Sequence, residues 1–251
     1  MSRIDAPAQE EFRPELYDAI APGYYDAVYR RGAGIQWFWH HHRFAQVEAR
    51  LPNECRRLLD LGCGPGTFLG RLERPLDYAL GLDLAAAQIA HANALYGGAR
   101  REFRVADVRD LSLVEPFDAI VSIEVIEHLP PAATADFLAA IQRLLRPGGT
   151  VVLTTPNYRS LWPLLERLVS AKGPVDYRRQ HINRFRRDRL ADELRHAGFE
   201  QVRCETFFAL APFLAGVSRR LAETVLAAER RWLPRAGAEL VVSAIKPVDG
   251  R

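Results

Sequence analysis

Short apolar runs, most of them closed by a glycine or an acid, punctuate the middle of the chain. "RRLLDLGC" (Arg56–Cys63), "YALGLDL" (Tyr78–Leu84), "EFRVADV" (Glu102–Val108), "FDAIVSI" (Phe117–Ile123) and "GTVVLTTP" (Gly149–Pro156) each have the length of a buried strand. Helical stretches lie between them, notably Ala85–Tyr96 and Ala132–Leu145, the latter stopped by "RPGG". This alternation predicts a parallel sheet with helices on both faces.

The flanks differ. Two helices, about Pro14–Tyr29 and Ile35–Arg50, precede the first strand and are separated by Gly32 and Gly34. After Pro156 the pattern predicts a helix over Ser160–Ser170 with Pro163 in its first turn. A basic loop and a helix over Arg187–His196 follow. "FEQVRCETF" reads as a sixth strand, about Phe213–Trp232 as one long amphipathic helix, and "AELVVSAIKP" as a seventh strand. The expected organisation is a single domain over 1–251. Its N-terminal helical segment, 1–52, lies over the site, and cap or substrate insertions fall at 158–186 and 207–235.

At 251 residues the chain has room for one α/β domain with a sizeable core. Its 48% apolar and 26% charged residues are those of a soluble globular protein. Thirty-four basic against 31 acidic residues leave +3, which does not by itself imply a nucleic-acid partner. Cys55, Cys63 and Cys204 form no CxxC pair, so a reducing, cytoplasmic setting is expected. Met1–Pro14 is polar and lacks the apolar region of a secretion signal. The longest apolar block, Phe207–Val217, contains Pro212 and Gly216 and falls short of the roughly 20 residues that span a bilayer.

The first strand turns into the first helix through "LLDLGCGPGTFLGRL". Glycines at 62, 64 and 66 permit a tight turn and close approach of a ligand at a strand's carboxyl end. Asp83 ends the second strand, where an acid can accept from ribose hydroxyls, and Asp107 ends the third, where it could accept from an exocyclic amine. The pattern suits an adenosine with a ribose and no pyrophosphate. A dinucleotide fold would instead show GxGxxG.

Together "LLDLGCGPG", "GLDL", "VADV", "FDAIVSIEVIEHL" and "LLRPGGTVVLTTPN" resemble the successive motifs of class I S-adenosylmethionine-dependent methyltransferases, over about Leu58–Asn157. The resemblance implies a Rossmann-like, seven-stranded, mostly parallel sheet and S-adenosylmethionine as cofactor. It implies that Asp60, Gly62, Gly64 and Gly66 bind the methionine portion, that Asp83 holds the ribose, that Asp107 and Val108 hold the adenine, and that Cys63 and Leu84 also belong to the cofactor site. In such enzymes an N-terminal helix folds over the cofactor. Tyr25 or Arg43 would then reach the methionine end, and Arg43 is suited to pair a carboxylate. His40, His41 and His42 are consecutive and cannot share one helical face.

Three titratable groups, Glu124, Glu127 and His128, follow the fourth strand at i, i+3 and i+4. A helix starting there would put them on one face. Three readings are open. The acids cap the helix start; His128 is a general base for a substrate hydroxyl; or the three hold a divalent ion that acidifies the hydroxyl. "EVIEH" resembles the motif of the ubiquinone-pathway O-methyltransferases and of the small-RNA 3′-terminal 2′-O-methyltransferases, members of which bind a divalent ion there. The resemblance to the RNA group adds His181, in "QHINRF", as a fourth ligand, and the carboxylate-rich set makes Mg²⁺ rather than Zn²⁺ the expected ion.

Six arginines (178, 179, 184, 186, 187, 189) lie in "DYRRQHINRFRRDR" and would attract an anionic substrate or an acidic membrane surface. No RNA-binding fold or aromatic platform is evident, which disfavours nucleic acid. The apolar block at Phe207–Val217 is core, or a lid for a lipophilic substrate, or a contact with the inner face of a membrane. The favoured reading is an O-methyltransferase acting on a small hydroxylated, lipophilic or anionic acceptor. The alternatives are methylation of an RNA terminus and a non-catalytic cofactor-binding partner.

Overall fold

A computed structural model describes residue 15, residues 20–111, 113, 116–172 and 176–248. Seven strands form one sheet in the order β3-β2-β1-β4-β5-β7-β6. They are β1 (Arg57–Leu61), β2 (Tyr78–Asp83), β3 (Arg101–Val105), β4 (Phe117–Ile123), β5 (Leu145–Pro156), β6 (Glu200–Phe207) and β7 (Glu239–Ile245). β1 to β5 pair in parallel, whereas β7 runs antiparallel to both β5 and β6. The strand order reverses between β1 and β4, the switch point at which doubly wound sheets open a ligand crevice.

The central strands read as unbroken apolar runs because helices cover both faces. One core cluster holds Phe38, Leu58, Leu69 and Val121; the other holds Leu59, Ile120, Phe137 and Leu153. Alternate residues of β1 and β4 thus serve opposite faces. Covering helices include α3 (Thr67–Arg71), α4 (Ala86–Tyr96), α5 (Thr134–Leu144) and α8 (Arg187–His196). The seven-stranded, mostly parallel architecture is the one the resemblance implied, with the apolar runs as its strands.

N-terminal to the sheet lie α1 (Tyr24–Arg30) and α2 (Ile35–Glu48). α1 is the second half of the helix expected from Pro14; residues 14 and 16–19 of that expectation lie outside the described residues. The segment is pinned to α4 by Gln88, whose Oε1 accepts from Gly23 N at 3.0 Å and whose Nε2 donates to the Ile20 and Ala21 carbonyls. Asp26, 1% exposed, accepts from Thr67 Oγ1 at 3.1 Å and from Tyr96. Between β5 and β6 stand α6 (Trp162–Lys172) and α7 (Tyr177–Gln180), and between β6 and β7 stand α9 (Ala211–Leu214) and α10 (Arg219–Trp232).

The long helix expected over 213–232 is instead two. α9 ends before Gly216, and α10 starts afresh at Ser218, whose hydroxyl accepts from Leu221 N. The amphipathic pattern continues across this break and hides it. Glu229 joins the halves, since its carboxylate accepts from the backbone N–H groups of Ala209, Leu210 and Ala211 at the start of α9. Glu229→Ala uncaps that end and is expected to lower stability by about 1–2 kcal/mol in urea unfolding. Among the described residues no helix is long and apolar enough to cross a membrane.

Candidate active site

A cavity of about 360 Å³ opens at the carboxyl ends of β1, β2 and β4 and is roofed by α1, α2, α6, α7 and α9. Of the expected cofactor residues, Asp60, Gly62, Cys63, Gly64, Asp83, Leu84, Asp107, Val108, Tyr25 and Arg43 all reach its wall. Gly66 does not line it. Its φ of +75° starts α3, and a Cβ there would lie 2.7 Å from Phe103 and 2.8 Å from Ala92, so this glycine serves the turn and helix packing. Gly62, at φ +76°, leaves no room for a Cβ, which would sit 2.3 Å from Val125 Cγ2, whereas Gly64 faces open space.

Asp83 organises this loop. One carboxylate oxygen accepts from Gly64 N at 2.7 Å and the other from Ala85 N at 2.9 Å. Burial raises its pKa against those backbone bonds. Asp107 is held by Arg109, whose Nη2 donates at 2.6 Å and keeps the carboxyl below its ordinary value. Asp60 differs from both. It is 1% exposed, its Oδ1 has no hydrogen-bond partner, and burial, with Asp83 nearby, pushes its pKa up to about 8. A buried carboxylate oxygen without a partner fits a cationic ligand group. The tight glycine turn, the open face at Gly64 and this oxygen together fit the methionine end of S-adenosylmethionine.

At the far end of β4 the expected α-helix is absent. Glu124 has φ +57°, in the left-handed region, and Ile126–His128 make a single 3-10 turn closed by His128 N donating to the Val125 carbonyl. The strained residue ends the strand abruptly and separates the three side chains. Glu124 turns toward α2, accepting from Thr154 Oγ1 at 3.0 Å and pairing with Arg43 Nη2 at 3.2 Å. Glu127 is fully buried and accepts from Thr155 Oγ1 at 3.0 Å, while its Oε1 has no hydrogen-bond partner. Burial, then Glu124, raise its pKa well above the ordinary carboxyl value.

His128 Nδ1 donates to the Gln180 carbonyl at 3.0 Å. Burial and His181 lower its pKa to about 3, so the ring is neutral. His181, whose ring centroid lies 5.1 Å from that of His128, is itself bonded through Nδ1 to Glu166 at 2.7 Å. Ligand atoms of Glu127, His128 and His181 lie within 4.8 Å of one another. Glu124 is outside that group. Two imidazoles and one carboxylate are not the oxygen-rich shell that Mg²⁺ takes, so the expectation of Mg²⁺ gains no support from this donor set.

Arg43 reaches the cavity, but its guanidinium is engaged. Nε and Nη2 donate to the two carboxylate oxygens of Glu239, and Nη2 also meets Glu124. Trp39 Nε1 donates to the same Glu239 carboxylate. Glu239, 1% exposed at the start of β7, thereby ties α2 to the sheet. The sequence reading passed over it, although a lone acid opening an apolar strand signals a buried partner. Of the aromatic wall, Tyr25 and the block holding Phe213 were expected near the site, whereas Trp162 and Tyr177 were not. Trp39 lies 5.9 Å from Trp162 and 6.4 Å from Phe213, and Tyr25 and Tyr177 touch through their hydroxyls at 3.3 Å.

The comparisons with known proteins agree with this geometry. Residues 37–204 match the family model described as a methyltransferase domain. A ubiquinone biosynthesis O-methyltransferase from Xylella fastidiosa strain M23 is 30% identical over 207 residues, 74% of this chain and 82% of that protein. Its counterpart in strain 9a5c is 34% identical over 165 residues but is spanned for only 65% of its length. A trans-aconitate 2-methyltransferase from Streptomyces avermitilis is 36% identical, over 61% of this chain and 56% of that protein. Among solved structures, the complex of a Haloferax volcanii methyltransferase with the activator Trm112 matches with TM-score 0.66 and 20% identity, covering 94% of this chain and 100% of that one. An S-adenosylmethionine-dependent methyltransferase from Archaeoglobus fulgidus matches with TM-score 0.62 and 20% identity, covering 89% and 100%. A fold with its ligand crevice at the β1/β4 switch point, a glycine loop with an unpartnered buried carboxylate, and a family match over most of the chain lead to one conclusion: the chain belongs to the S-adenosylmethionine-dependent methyltransferases.

Proposed function

We propose that the protein transfers the methyl group to a hydroxyl oxygen of a small acceptor. The observation that carries this is the continuity of one cavity, which runs from Asp60 and Gly64 to Glu124 and His128. The O-acceptor is supported by the relatives named as O-methyltransferases. When bound, S-adenosylmethionine supplies an electrophilic methyl on a sulfonium. Asp60 and the glycine loop would hold its methionine end, Asp83 with Leu84 the ribose, and Asp107 with Val108 the adenine.

The chain's own residues orient the acceptor and exclude water. Trp39, Trp162 and Phe213 form an apolar wall, so the oxygen is presented in line with little freedom. The acceptor's proton would leave toward the polar cluster at the end of β4. Glu124 and neutral His128 both line the cavity there; Glu124 is paired with Arg43, which leaves His128 as the proposed base, with Glu127 buried behind it. With a pKa near 3, His128 is a weak base. The reading therefore favours acceptors with an acidic hydroxyl, whose proton is lost easily, and leaves most of the rate to positioning.

Mass-spectrometric screening of hydroxylated acceptors with S-adenosylmethionine tests this directly. A methyl ether should form, and EDTA or added Mg²⁺ should change the rate by less than about twofold. Transfer only to nitrogen or carbon acceptors would overturn the O-methyl reading.

A further inference from the structure

The acceptor half of the cavity is built from aromatic rings around a small set of charges. Its lining includes Tyr25, Trp39, Trp162, Tyr177 and Phe213. Among the described lining residues Arg43 is the one Arg or Lys, against four acids, Asp60, Asp83, Asp107 and Glu124. Arg43 is 9% exposed and already carries two carboxylates. Glu239 takes Nε and Nη2, and Glu124 meets Nη2 at 3.2 Å. Only Nη1 is less committed, at 3.5 Å from His40 Nδ1.

We propose that the chamber accepts uncharged or cationic aromatic hydroxyl compounds and rejects anionic ones, because its one guanidinium is already paired from two sides. This rests on the O-methyl reading above. If the cofactor's own carboxylate takes Nη1, a second anion finds no cation at the wall. An anion brought in from water would then lose hydration without gaining a partner, beside Glu124. An uncharged ring loses little and stacks against Trp39 and Trp162. A cation gains the faces of the same rings and the carboxylate of Glu124.

The six arginines between 178 and 189 do not reverse this. None lines the cavity. Arg178 is paired with Asp176, Arg184 lies over the ring of Tyr158, and Arg189 packs on Phe185 and donates to Asn183 Oδ1. The side chains of that segment which do face the cavity are Tyr177, Gln180 and His181, and His181 is paired with Glu166.

Three probes with one reacting group and different charge test the proposal: catechol, 3,4-dihydroxybenzoate and dopamine. Methyl transfer to each is followed by mass spectrometry. Binding of each to the full chain saturated with S-adenosylhomocysteine is measured by calorimetry. Catechol and dopamine should each exceed the benzoate by at least about tenfold in kcat/KM and in affinity. Glu124→Gln frees one side of Arg43. In that variant, checked for an unchanged melting profile, the gap between catechol and the benzoate should narrow by about fivefold or more. Equal or better use of the benzoate by the wild type overturns the proposal, as does a gap unchanged in a folded Glu124→Gln. If no probe is methylated but the binding order holds, the charge rule stands, and the O-methyl reading is decided by the wider acceptor screen. If none of the three binds, the charge rule falls.

Discussion

Glu239→Ala is expected to be the most damaging single change to stability, lowering it by about 3–5 kcal/mol. The carboxylate is buried and holds three donors, Arg43 Nε, Arg43 Nη2 and Trp39 Nε1. Removing it leaves the indole N–H without that acceptor and the guanidinium with Glu124 as its one remaining carboxylate. Burial, with Glu124 nearby, raises the Glu239 carboxyl to about 8 even against the pull of Arg43, so its charged form depends on the guanidinium beside it. Urea unfolding at neutral pH measures the loss. The double variant Arg43→Met with Glu239→Leu should recover most of it, because it removes both charges and keeps the volume apolar. Glu124 tolerates this, being partly exposed and still bonded to Thr154. A loss below about 1 kcal/mol in Glu239→Ala would mean that water reaches the pair and that the tie between α2 and the sheet is weak.

The same pair shows where reading the sequence stops. Strands announce themselves locally, since the apolar runs of β1, β2, β4 and β5 must be buried whatever lies beside them. The glycine loop is equally local: the glycines at 62, 64 and 66 stand within five positions, and each adopts positive φ. Arg43 and Glu239 are 196 positions apart, and nothing near either residue names the other. Two local expectations failed for physical reasons. The i, i+3, i+4 spacing would share one face if a helix began at Glu124, but Glu124 takes a left-handed conformation and Pro130 and Pro131 follow within one turn of His128. One helix was read over 213–232 because amphipathicity stayed in phase across Gly216, although glycine and the cap at Ser218 break the backbone there.

Asp60→Asn is expected to weaken S-adenosylmethionine binding roughly 10- to 100-fold, the loss of one charge-assisted hydrogen bond to the methionine ammonium. The amide keeps the size of the side chain and should leave the loop intact, so the effect isolates charge. The pH dependence carries the sharper test. In the free protein Asp60 has its pKa raised to about 8 by burial and by Asp83. Its folded value therefore lies above its unfolded one. The stability this contributes is full below about pH 4 and is lost as pH rises through about 8, by up to about 1.4 kcal/mol per unit. A bound cation reverses the preference, because it favours the carboxylate. Binding then expels a proton below pH 8, and affinity should rise up to about tenfold per unit until it levels near pH 8. Calorimetry between pH 6 and 9, in two buffers of different ionisation enthalpy, reads both the slope and the proton. Asp60→Asn should flatten the slope and cancel the proton release. A variant that keeps both would place the ammonium elsewhere on the wall and leave Asp60 as a loop anchor.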